Sequence, residues 1–168
     1  MRRFVAAALL LLVTVTVYLA VQRFSRLQAE DDIRYFAVQR SSRPKAEDDI
    51  REAVFRYQMH HYKSDVYFLA INNRDPSNNF MARFKGCKRP VRKRSESKFE
   101  SAGPSTRDKK TGAKGVILES WDLKWLNNSV EVYGAEMWIP RCGSGFKFSV
   151  ALKDRRWVVT DAKWVAIY

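Results

Sequence analysis

Four runs of alternating apolar and polar residues fill the end of the chain, and short links join them. The runs are GVILESWDLKW (115–125), VEVYGAEMW (130–138), FKFSVALK (146–153) and RWVVTDAKWVAI (156–167). Alternation with period two buries one face of a strand and wets the other. Leu126-Asn127-Asn128-Ser129 and Asp154-Arg155 have turn length, and links that short join antiparallel neighbours. The last third of the chain is therefore expected to form an antiparallel meander with one apolar face that needs cover.

The cover lies upstream. Residues 45–62 read as a helix: Pro44 suits its start, and Glu47, Asp48 and Asp49 sit where the helix dipole favours carboxylates. Ile50, Ala53, Val54, Tyr57 and His61 recur at helical spacing as one apolar stripe. VYFLAIN (66–72) reads as a strand, and Asp75 or Ser77 as the cap of a short helix over 77–84. That helix buries Phe80, Met81 and Phe84 and ends at Gly86. The expected class is α+β, a helix packed on a curled antiparallel β-sheet, built from residues 44–168.

Residues 4–21 carry no charge and follow Arg2 and Arg3. As a helix they span ~27 Å, just short of a ~30 Å hydrocarbon core. A transmembrane or signal-anchor helix is expected over 1–26, with the domain outside the cytoplasm at a bacterial inner membrane. Cleavage and secretion are the alternative, although Tyr18-Leu19-Ala20 puts a bulky residue where a small one is wanted. YLAVQRFSRLQAEDDIR (18–34) is then repeated as YFAVQRSSRPKAEDDIR (35–51), identical at 13 of 17 positions. A 17-residue step turns a helix about 260° past whole turns, so only one copy can dock in a given way. The second copy is read as the start of the domain helix, and residues 27–43 as spacer.

Lys plus Arg number 31 against 18 Asp plus Glu, a net charge of +13. The excess gathers in residues 85–114, with 11 basic and 3 acidic side chains among Ser, Gly and Pro. This segment reads as a long basic loop with one strand near Val91. Its expected anion contacts are Lys88, Arg89, Arg92, Lys93, Arg94, Lys109 and Lys110. Anionic lipid or an envelope polyanion fits it as partner. Nucleic acid fits less well, because only Phe99 offers a stacking surface.

Catalytic signals are sparse. Adjacent His60 and His61 point about 100° apart on a helix and cannot chelate one metal. His61 with Asp65 or Asp161 is the one acid–base pairing to consider. No nucleophile-elbow, zinc-protease, phosphate-loop or dinucleotide motif occurs, and no cofactor or metal is expected. Cys87 and Cys142 allow a single disulfide in an oxidising compartment. The five tryptophans read as packing residues, with Trp125 and Trp157 as alternatives at a pocket mouth.

The order of elements resembles the nuclear-transport-factor-2-like (cystatin-like) cone fold. AEDDIREAVFRYQ (46–58), DPSNNFMARFKG (75–86), DKKTGAKGVIL (108–118), SVEVYGAEMW (129–138) and DRRWVV (154–159) resemble a group of small uncharacterised bacterial exported proteins. That resemblance implies the fold and export but no activity. The chain departs from the group at Tyr133-Gly134-Ala135-Glu136, where such relatives tend to carry Gly-Gly-Tyr-Tyr. The resulting expectation is a membrane-anchored or exported, non-catalytic binding module acting through its basic segment. A cone-fold enzyme using a His/Asp pair and an accessory subunit of an envelope complex are the alternatives.

Overall fold

The computed structural model describes residues 15–27, 30–31, 33–34, 43–100, 105–139 and 142–167. Helix α1 (Arg43–His61) leads into β1 (Val66–Ile71) and the short helix α2 (Asn78–Ala82). Strand β2 (Val91–Lys93), a 3₁₀ turn (Arg94–Glu96), β3 (Ser97–Glu100) and β4 (Ser105–Asp108) follow. The long strands β5 (Lys114–Trp125), β6 (Ser129–Ile139), β7 (Cys142–Lys153) and β8 (Arg156–Ile167) complete the domain.

The meander is present. β5 to β8 pair antiparallel in chain order, and Asp154 and Arg155 both take positive φ in the two-residue turn that matches strand twist. β5 bends at Asp122, whose φ is 40°, where its register with β6 slips between Trp121 and Leu123.

The sheet as a whole corrects the expected fold class. Among the described residues it is an eight-stranded mixed sheet, not an antiparallel one: the main order is β2-β1-β5-β6-β7-β8, and β1 runs parallel to both β2 and β5. A parallel neighbour needs a crossover, and the long β1-to-β5 connection supplies it. Strand β1 is buried on both faces, with Val66 to Ala70 all 5% exposed or less.

The expected transmembrane or signal-anchor helix is corrected too. Among the described residues no helix is long and apolar enough to cross a membrane. Residues 15–27 are helical, but Gln22, Arg23 and Arg26 end the apolar run. Residues 1–14 of the expected anchor, and most of the spacer, lie outside the described residues.

Helix α1 buries two stripes rather than one. Ile50 and Val54 pack with Val130, Val132, Phe148, Val150 and Trp157. Phe55 lies one step round and packs with Tyr67, Leu69, Phe80, Phe84, Val116 and Leu118. The Phe55, Phe80 and Phe84 rings meet edge-on at 6.0 and 6.4 Å from Phe55, contacts worth ~1 kcal/mol each beyond burial. Ser77 caps α2 by accepting from the Phe80 N–H. Phe68, Ala70 and Ile117 form a third cluster on the far face of the sheet, with Ala113 and Met137 against it.

The duplicated hexapeptide AEDDIR meets two environments. In the second copy Ala46 and Ile50 are fully buried, whereas Ile33 of the first copy is 64% exposed. The second copy docks on the sheet, and Ile33 of the first does not.

Candidate functional site

The basic segment is not a loop. It forms β2, the 3₁₀ turn, β3 and β4, and much of its charge holds that structure together. Arg92 Nε lies 2.7 Å from Asp108 Oδ2, and its Nη1 lies 3.2 Å from Glu96. Asp108 is 1% exposed. Burial pushes its carboxyl up, but hydrogen bonds from Lys110 and Thr111 and the Arg92 charge leave it below the ordinary value. Lys109 donates to the Ser95 carbonyl at 2.7 Å and Arg94 to the Asn73 carbonyl at 3.4 Å. The Lys93 backbone N–H bonds Glu96, and Lys110 is exposed. Of the seven expected anion contacts, Lys88 and Arg89 line a common cleft.

That cleft of about 610 Å³ lies between the end of α1 and the turn before β2. Its basic lining is Arg56, His60, Lys63, Lys88 and Arg89, and no carboxylate is among the described residues lining it. Met59, Tyr67 and Cys87 complete the walls. The last turns of α1 supply Arg56, Met59 and His60, and Lys63 follows two residues after the helix ends. Two of the cations are fixed. Arg56 bonds Glu52 at 2.8 Å and the Arg83 carbonyl at 2.9 Å, and Arg89 donates to the Ser64 carbonyl. Lys63 and Lys88 are exposed and make no ion pair among the described residues.

The Tyr67 hydroxyl ties this wall to the end of α1. It lies 2.6 Å from the Tyr62 carbonyl and 3.1 Å from that of Met59, two of the carbonyls a helix end leaves open.

On the sheet side of the same turn lies a group that sequence reasoning missed. Glu136 of β6 is 2% exposed. Its carboxyl is pushed up to about 7 because burial penalises the charged form more than the hydrogen bond with Tyr62 favours it. Burial and that same bond push the Tyr62 hydroxyl up to about 12. Gln58, one turn before Tyr62, is fully buried and donates to the Ala135 carbonyl at 3.1 Å. Gln58 Oε1 and Glu136 Oε2 are both buried without a hydrogen-bond partner. A signal existed: alternation puts Glu136 on the face of Val130 and Val132.

The expected His/Asp pair does not form. His61 is exposed, stacks on Tyr57 at 4.0 Å, and its Nδ1–H donates to the Tyr57 carbonyl at 2.9 Å. Asp161 is in register with Ser149, on the sheet face opposite Phe148 and α1, and pairs with Lys163 at 3.7 Å. Asp65 is exposed beyond the helix end. Nor do the cysteines meet. Both are free thiols, Cys87 with Sγ 4.0 Å from Arg56 Nη1 and Cys142 exposed at the start of β7. Trp125 and Trp157 meet edge-on at 5.9 Å in the core cluster under α1. Among the described residues no group of three His, Cys, Asp or Glu is placed to hold a metal.

Compared with family models, curated proteins and solved structures, the chain matches none.

Proposed function

We propose that this domain is a non-catalytic binding module for phosphate-bearing anions, and that the α1 cleft is its contact surface. One observation carries the reading: four cationic side chains and a histidine line one cleft with no carboxylate among its described lining residues. Concave walls of low dielectric concentrate a positive potential and draw in anions. The fixed Arg56 and Arg89 give direction, while Lys63 and Lys88 supply charge that no internal partner consumes. The remaining cations of the 85–114 segment serve mainly to hold its strands.

Titration calorimetry with inorganic tripolyphosphate tests this at low ionic strength. The wild-type protein binds saturably, and affinity falls as salt rises. The double variant Lys63→Ala, Lys88→Ala weakens binding about tenfold, or about 1.4 kcal/mol. Both residues are exposed, so the fold is unaffected. Equal binding by the double variant, or none by the wild type, refutes the reading.

A further inference from the structure

Gln58 and Glu136 present two buried acceptor oxygens and no donor to either. The Gln58 amide bonds the carbonyl of Ala135, the residue before Glu136, so the two groups are neighbours between α1 and β6. Buried polar atoms in native structures are paired, and an amide oxygen cannot supply a proton. A carboxyl group can. A neutral Glu136 carries such a proton beside Gln58, in the same buried layer.

We propose that the proton on Glu136 seats the last turn of α1 and so sets the shape of the cationic cleft, making anion binding proton-linked. This rests on the cleft being the anion site. The connection is short. The Tyr62 hydroxyl acts on the Glu136 carboxyl, while the Tyr62 carbonyl accepts from Tyr67, a wall of the cleft. Met59 and His60 belong to the same turn and the same wall. When Glu136 releases its proton to the buffer, a buried charge replaces the donor and both acceptors repel. The turn then shifts from the sheet and takes the wall with it.

Among the described residues, no basic group acts on that charge. Across the sheet Glu136 pairs with Leu118 of β5 and Ser144 of β7, both uncharged. From α1 and the residue after it, Glu136 faces Gln58 and Tyr62, and among the described residues Tyr62 is the titratable group acting on it. His61 is turned to Tyr57.

Two measurements on wild type and Glu136→Gln test the proposal. The first is tripolyphosphate affinity at pH 6 and pH 8. The wild type loses at least threefold more affinity over that interval than the variant, which keeps every residue of the cleft unchanged. The second is amide hydrogen exchange at residues 59–62, compared between the proteins at equal pH. At pH 8 these amides exchange faster in the wild type, and at pH 5.5 they match. Matching exchange at both pH values overturns the proposal. Differing exchange with equal pH dependence of affinity overturns the coupling to the cleft. If neither protein binds tripolyphosphate, the anion reading itself fails, and exchange still decides whether the proton seats the turn. Should Glu136→Gln not fold, Tyr62→Phe serves: removing that hydroxyl moves the exchange midpoint to higher pH, and an unmoved midpoint counts against the proposal.

Discussion

Substituting Glu136 by glutamine is expected to stabilise the protein above neutral pH and leave it nearly unchanged in mild acid. The carboxyl titrates at about 7 in the folded state, against 4.5 for an unhindered glutamate. Between those values the folded state holds more protons than the unfolded state, so stability falls as pH rises. The contribution is fully present below pH 4.5 and is lost as pH passes through 7. A gap of about 2.5 on the pH scale, at 1.36 kcal/mol each, gives a loss of about 3 kcal/mol above pH 8. Glutamine keeps the shape and never ionises. Its amide donates to Gln58 Oε1 and its carbonyl accepts from Tyr62. Urea unfolding followed by tryptophan fluorescence at pH 5 and pH 8 measures the difference. The two proteins are expected to agree within ~0.5 kcal/mol at pH 5, with the variant ahead by about 2–3 kcal/mol at pH 8. Parallel stability profiles refute the reasoning, because they mean that Glu136 titrates alike in both states. A variant less stable at pH 8 refutes it more strongly.

Three further outcomes follow from the packing. Asp108→Ala leaves Arg92 without its buried partner and frees the turn at Lys110 and Thr111, costing on the order of 2–4 kcal/mol by denaturant unfolding. Gly134→Ala places a methyl group 2.6 Å from the Glu119 carbonyl oxygen and 3.0 Å from the Phe148 ring. Backbone cannot step aside there, and the thermal midpoint drops by an amount corresponding to about 2–3 kcal/mol. Alkylation of native protein finds two free thiols, with exposed Cys142 modified faster than half-buried Cys87; a protein resistant until reduced contradicts the thiol assignment.

The period-two runs made β5 to β8 legible down to the Asp154-Arg155 turn, because local alternation and link length fix an antiparallel meander. The place of β1 was not read. VYFLAI was recognised as a strand, but its unbroken apolar run also marks a strand covered on both faces, the habit of parallel neighbours. Long-range pairing then decides the order, and no local pattern reports it. The charge of residues 85–114 was legible, while its use was not. Arg92 and Lys109 look like Lys88 in the sequence, and only the fold shows that they are consumed by Asp108 and Ser95. The helix stripe through Ile50 and Val54 was visible, but Phe55, Gln58 and Tyr62 form a second one that polar letters interrupt. Glu136 escapes the same pattern, because a charged residue at an inward position breaks the alternation.

The tandem copies carry a consequence for how the chain finds its register. AEDDIR occurs twice, and the sheet has a seat for one. During folding both copies can present the same alanine and isoleucine to that seat. The choice is made by what comes next. After the second copy the chain offers Val54, Phe55 and Gln58, whereas 17 residues earlier the same places hold Ala37, Val38 and Ser41. The upstream copy is thus a key cut correctly at its tip and blank along its shaft. Placing valine, phenylalanine and glutamine at 37, 38 and 41 would complete it, and the protein would then have two rival helices for one groove.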